Sequence, residues 1–392
     1  MVHPWRRYVR SLGSLVLGAS LILWLPHAAS KQAAVARAQT PSLSIPTFQV
    51  DRSWPKPLPN NWVIGGSGGL AIDARDHVWL IHRPTSVTPA DVTGGKRIPP
   101  PVMEFDPAGN VVQAWGGPGP DYHWMEQHFG DYPRGTPPEH GIFVDHKDNV
   151  WVTGNGDQVL KFTRAGKFLM AIGQHMKTGG SNSTTLLGNP TDMAVDPVTN
   201  ELFVSDGYLN RRVIVFDADT GKYKRHWGAY GKPPDDGPAE LYEPGKPLPK
   251  QFFVVHCLAL SKDGLVYVCD RQRNRIQVFR KDGTFVRERV IRKDKPAGAG
   301  IKARGFYQDK ENSKLGFGSG QRIAFSSDPE QRYIYHVNDG VMILRRSDLE
   351  VVGSVPGAVV DHGMRMDSKG NLYLSQRGSP VRWTPTRMSS QR

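Results

Sequence analysis

Short runs in which every second residue is apolar recur along the chain, each pair of runs joined by a tight turn of Asp, Gly or Asn. GGLAIDARDHVWLIHR from Gly68 is the first such pair. EHGIFVDHKDNVWVTG from Glu139, TDMAVDPVTNELFVSDGY from Thr191, HCLALSKDGLVYVCDR from His256, QRIAFSSDPEQRYIYHVND from Gln321 and HGMRMDSKGNLYLSQR from His362 follow it. Period-two alternation, Val, Tyr, Trp and Leu in the second run, and turn residues between the runs predict a β-hairpin in each. Several of the six continue into a second hairpin, as in VMEFDPAGNVVQAWG, VLKFTRAGKFLMAIG, RVIVFDADTGKYKRHWG and RIQVFRKDGTFVRE.

A unit of four strands cannot bury both faces of its sheet alone, whereas six such units stacked around an axis share a continuous core. The pattern therefore predicts an all-β fold, a six-bladed β-propeller over 68–392. SIPTFQVDRSW, within the segment 39–67, is placed as the strand that closes the ring. A seven-bladed ring finds no seventh hairpin pair. In an up-and-down blade the innermost strand starts on the rim where the chain enters from the preceding blade and where the second strand hands over to the third. Turns on the other rim are all short (DARDH, DHKDN, DPVTN, SKDG). The long segments, Pro84 to Pro101, Gly116 to Pro138, Gly173 to Asn189, Gly228 to Phe253 and Arg292 to Gly320, all fall on the entry rim. Loops gathered on one face of a rigid scaffold wall a binding site.

Composition changes this picture at one end. Basic WRRYVR is followed by the apolar run LGSLVLGASLILWL and an Ala-rich stretch ending in Ala36-Arg37-Ala38. The run is shorter than the roughly 20 residues of a membrane span, and the small residues offer a cleavage site, so 1–38 reads as a secretory signal peptide. Periplasmic or extracellular location follows as the expectation, with no stable membrane insertion after cleavage. No cysteine follows the run, which argues against a lipoprotein. The formal charge of +13 includes Arg6, Arg7, Arg10, Lys31 and Arg37 of this leader, and the remaining excess is scattered through turns. Scattered charge does not make a nucleic-acid stripe; the expected partner is a small molecule or peptide bearing a carboxylate. Cys257 and Cys269 allow one internal disulfide or a pair of buried thiols.

Histidine occupies the start of the first strand in the second, fourth and sixth units, at His140, His256 and His362. Alternate positions on a sixfold ring are related by a threefold rotation, so the three imidazoles are expected to face one another at the mouth of the axial channel. Three neutral imidazoles with an open position suit a catalytic divalent ion, Zn2+ above all. Strand alternation turns Cys257 away from them. The ends of the second strands lie beside these starts and carry Arg83, Tyr208, Arg271 and Arg377, an anion-binding and acid/base-capable set.

SDGYLNRRVIVF, HCLALSKDGLVYVCDRQRNRIQVF and EHGIFVDHKDNVWVTG resemble the peptidyl-α-hydroxyglycine α-amidating lyase family, six-bladed propellers of NHL-type repeats, over about Gly68 to Gln376. The resemblance implies zinc on His140, His256 and His362, a catalytic Tyr208, and active-site Arg83 and Arg271. It also implies cleavage of an α-hydroxyglycine amide to a primary amide and glyoxylate. In that reaction a Lewis acid stabilises an alkoxide while a base takes the hydroxyl proton, and an arginine clamps the neighbouring carboxylate. As base, Tyr208 would need a pKa below the usual ~10, which nearby positive charges favour. The family holds a structural calcium with an acidic residue after the third histidine; here Gly363 stands there, and Asp361 lies on the other side. Two other readings share the fold: a non-catalytic propeller that binds a peptide or protein, and a lactonase-type hydrolase, whose metal is held by carboxylates and amides.

Overall fold

The computed structural model describes residues 44–124, 139–154, 156–238, 240, 242–294, 322–338, 340–376 and 378–390. The signal-peptide assignment, Arg377, and parts of the loops at 116–138 and 292–320 fall outside the described residues. Among the described residues twenty-four strands form six separate four-stranded antiparallel sheets, five of them continuous in sequence order. The first blade runs from Gly66–Ile72 through Val78–Arg83 and Val102–Phe105 to Val111–Trp115. Blades 2 to 5 repeat it with innermost strands Glu139–Val144, Pro190–Asp196, Val255–Leu260 and Ile323–Phe325. Helical structure among the described residues is confined to short 3₁₀ turns such as Arg271–Arg273, and none is long and apolar enough to cross a membrane.

The core is divided as a radial stack requires. One cluster joins Ala71, Trp79 and Ile81 of blade 1 to Ile142, Val150 and Leu160 of blade 2. Equivalent clusters lie between each further pair of neighbours around the ring, the last joining Tyr373 of blade 6 to Leu70 and Leu80 of blade 1. Each blade thus hides both faces against its neighbours, which is why second strands such as Val78–Arg83, Val150–Gly154 and Glu201–Asp206 are buried along their whole length. The inner-hairpin turns explain the recurring aspartate. Asp145 accepts from the backbone N–H of Lys147 and Asn149, each at 2.9 Å, and from Trp151 Nε1 at 2.8 Å, and Asp148 takes the left-handed conformation (φ 61°) that the turn demands. Asp73 does the same for Arg75, His77 and Trp79.

The sixth blade is built from both ends of the described chain: Met364–Met366, Leu372–Gln376 and Ser379–Ser390 are completed on the outside by Ser44–Asp51. That pairing closes the ring and leaves no blade with three strands. Cys257 and Cys269, opposite each other on neighbouring strands with Cα atoms 5.0 Å apart, form a disulfide packed in the cluster between blades 4 and 5.

The closing strand is tied down by Asp51, whose carboxylate accepts from Arg382 Nη2 at 2.6 Å. Hydrogen bonds from Ser53 and Arg382 hold its pKa at about 2. A depressed folded-state pKa adds stability that is complete above the ordinary carboxylate range and is lost as pH falls toward 2. Asp51→Asn is therefore expected to cost at most about 1 kcal/mol at pH 7, because the pair lies near the surface. The difference from wild type should vanish by pH 2; thermal melts across that range check it, and an equal difference at both ends would disprove it.

Candidate metal centre

The three histidines stand where the inner ladders are interrupted. Pairing skips from Glu139 to Gly141 in blade 2 and from Val255 to Cys257 in blade 4, leaving His140 and His256 as bulged residues. In blade 6 the bonds from Asp361 N to Ser375 O and from Ser375 N to Gly363 O, each 2.8 Å, pass over His362 in the same way. A bulge re-aims one side chain without disturbing those after it, so each imidazole turns to the axis while Ile142 and Cys257 rejoin the inter-blade core. Ring centroids are 4.3 Å apart for His140 and His362, 4.8 Å for His140 and His256, and 5.0 Å for His256 and His362. One ring nitrogen from each lies within 4.8 Å of the others, and all three residues are buried.

His140 Nδ1 donates to Thr191 O at 2.6 Å and His362 Nδ1 to Gly68 O at 2.8 Å, which fixes the tautomer and leaves the lone pair on Nε2. Burial holds both rings well below the ordinary histidine range, reinforced at His140 by Arg322, Arg83 and Arg271 and at His362 by His140, Arg83 and Arg322. Three convergent imidazoles, those of His140 and His362 held neutral and oriented, are the donor set that a divalent transition ion takes.

Tyr208 reaches into the same space. Its hydroxyl lies 3.0 Å from His140 Nε2 and 3.2 Å from His256 Nε2, and accepts from Arg271 Nη1 at 3.2 Å. The two motifs that carry these residues explain the placement. In SDGYLNRR, buried Asp206 pairs with Arg212 Nε at 2.9 Å, Asp206 accepts from Gly188 N at 2.7 Å, and Arg212 donates to the carbonyls of Ser181 and Leu186, each at 2.8 Å. In DRQRNR, Asp270 pairs with Arg275 and accepts from Phe253 N at 3.0 Å, while Arg275 holds Pro249 O and Gln251 O at 2.9 and 2.6 Å. Each ion pair staples an entry-rim loop to the strand end that presents the site residue. Gly207 is required between them, since a Cβ there would lie 2.0 Å from Val255 O.

Arg83 ends the second strand of blade 1, two blades from Tyr208, where its Nε donates to Glu139 O at 2.9 Å. Arg83 Nη2 and Arg271 Nε are buried and have no partner among the described residues. Three buried groups escaped the sequence reading. Glu139, beside His140, accepts from Trp124 Nε1 at 3.0 Å and is pushed up to about 7 by burial. Arg322 donates to carbonyls of blades 1, 2, 4 and 6, and Asp192 lies between Arg322 and Arg365. Burial lowers Arg322 to about 10, which leaves it cationic at neutral pH. These carbonyl and carboxylate oxygens are the ligand type that calcium takes, and here a guanidinium already engages them. A charged residue inside QRIAF, where the other inner strands carry Gly, Asp or Cys, was the signal for Arg322.

Asp73, His77 and Glu104 form a second group on the opposite rim. Arg164 sits in its middle, 2.8 Å from Asp73 and also bonded to Glu104, so this is an ion-pair network rather than a metal cradle.

The NHL repeat pattern matches residues 255–279, the segment holding His256 and Arg271. Mouse peptidyl-glycine alpha-amidating monooxygenase is 37% identical over 154 residues, 38% of this chain and 14% of that protein. A probable peptidyl-alpha-hydroxyglycine alpha-amidating lyase of Caenorhabditis elegans is 32% identical over 143 residues, 36% of each chain. These similarities, with the six-bladed ring, support the amidating-lyase family of NHL-repeat propellers. The chain's match spans about one seventh of the mouse monooxygenase (14%). Mouse NHL repeat-containing protein 3 is also similar, 26% identical over 250 residues, 60% of this chain and 58% of that one.

Purified protein is expected to carry about one equivalent of a divalent transition ion, and the His140→Ala/His256→Ala/His362→Ala variant none. Elemental analysis decides it; equal metal in both samples would place the ion elsewhere.

Proposed function

We propose that the chain is a secreted, metal-dependent lyase that breaks the C–N bond of α-hydroxyglycine amides or related carbinolamides, giving a primary amide and glyoxylate. The observation that carries this reading is the position of Tyr208, whose hydroxyl touches two histidine Nε2 atoms and the Arg271 guanidinium at once in a buried, cationic pocket. A divalent ion on His140, His256 and His362 would supply Lewis-acid stabilisation of the substrate oxygen as it becomes anionic.

The chain's own residues account for the rest. Arg271, 3.2 Å from Tyr208, favours the phenolate by a charge-assisted hydrogen bond, and the phenolate takes the proton of the substrate hydroxyl. The C–O bond becomes a carbonyl, the C–N pair passes to nitrogen, and nitrogen takes up a proton to leave as the amide. The partnerless donors of Arg83 and Arg271 are suited to the substrate carboxylate, which would fix the reacting carbon beside Tyr208. Burial of the site keeps water from competing for these donors. Export is supported by the leader-like run before the propeller.

The direct test is glyoxylate release from α-hydroxyhippurate by zinc-loaded protein. Tyr208→Phe is expected to lower kcat by about 10²-fold or more, the usual scale for a lost general base. Arg83→Met should act mainly on KM, through lost uniform binding. No glyoxylate from a sample with full metal content would remove the lyase reading and leave a binding propeller.

A further inference from the structure

The site's chemistry makes no use of the support beneath the three histidines. Arg322 Nε donates to His362 O at 3.0 Å, Nη1 to His256 O at 3.1 Å, and Nη2 to His140 O at 3.2 Å and Gly68 O at 3.4 Å. Nη1 also lies 3.4 Å from Asp192 Oδ2, whose other oxygen is held by Arg365 Nη2 at 3.2 Å. The backbone carbonyl of every candidate metal ligand therefore ends on one planar group.

That convergence matters because each histidine sits outside its strand ladder. At a bulge the backbone lacks the paired bonds that fix its neighbours, so something else must set where the imidazole points. A guanidinium holds its N–H groups rigidly in one plane, so the spacing of the three carbonyls follows the fork rather than three independent strands. Arg322 belongs to blade 5, which contributes no histidine to the cluster, and its side chain spans to blades 1, 2, 4 and 6 through carbonyls and to blade 3 through Asp192. We propose that Arg322 is a positioning residue for the metal centre, setting the spacing of His140, His256 and His362 from below, with Asp192 and Arg365 holding the fork in place. This rests on the three-histidine metal reading.

The test uses Co2+ bound to the purified full chain, with affinity read by chelator competition and ligand geometry by the visible absorption spectrum. Arg322→Lys keeps the charge and removes the fork. It is expected to bind Co2+ about ten-fold more weakly, the scale typical of lost outer-shell support, with an altered spectrum and wild-type circular dichroism. Arg225→Met breaks an ion pair with Glu201 that touches neither the fork nor a histidine; it should lower the melting temperature and leave Co2+ affinity and spectrum unchanged. Wild-type affinity and spectrum in folded Arg322→Lys overturn the proposal, because a purely structural role makes the two variants alike. Should Arg322→Lys fail to fold, Asp192→Asn releases one anchor of the fork, and a smaller loss of affinity supports the proposal while no loss overturns it. Wild-type protein that binds no Co2+ removes the metal reading and this inference with it, whereas wild-type binding matched by Arg322→Lys removes this inference alone.

Discussion

At the centre of the ring the carbonyls of Gly68, His140, His256 and His362 meet one buried guanidinium, that of Arg322, which is itself balanced by Asp192. Inward-turned carbonyls without partners would each carry a desolvation cost, and an unpaired buried cation a larger one. Together they satisfy each other, and the other five blades are tied to blade 5 through a single side chain. The same arrangement sets the electrostatics of the site above it. Burial, with Arg83 and Arg322 close by, holds the imidazoles of His140 and His362 neutral, and the pocket is left with an appetite for negative charge.

The entry rim is coupled to this centre by two buried ion pairs of like design. Asp206 with Arg212, and Asp270 with Arg275, each join a strand end to the loop before it. Tyr208 and Arg271 lie inside those motifs, so the parts that would touch substrate are fixed by the bonds that fix the loops. Precision here comes from the scaffold rather than from the loops themselves.

Much of this was legible in the sequence. Period-two alternation with Asp-rich turns led to six blades, and the placement of His140, His256 and His362 in alternate units led to a threefold cluster, because both follow from local pattern and ring symmetry. The strand Ser44–Asp51 pairs where closure of a ring requires. The bulges were not legible, since a bulge changes pairing between strands without leaving a residue type that marks it. Arg322 and Asp192 were missed for a related reason: the partners of Arg322 are backbone carbonyls and a side chain 40 to 254 positions away in the chain, Asp192 itself lying 130 residues off. Cys257 and Cys269 could be placed opposite each other, but alternation alone does not choose between thiols and a disulfide.

The fold, the neutral imidazoles and the positive pocket have functional meaning only if one ion sits among the three Nε2 atoms. An anomalous difference map collected at the absorption edge of the metal found in the protein locates that ion directly. The account predicts one peak within bonding distance of His140, His256 and His362. A peak elsewhere, such as beside Asp73 and His77, or none in metal-replete crystals, would contradict it.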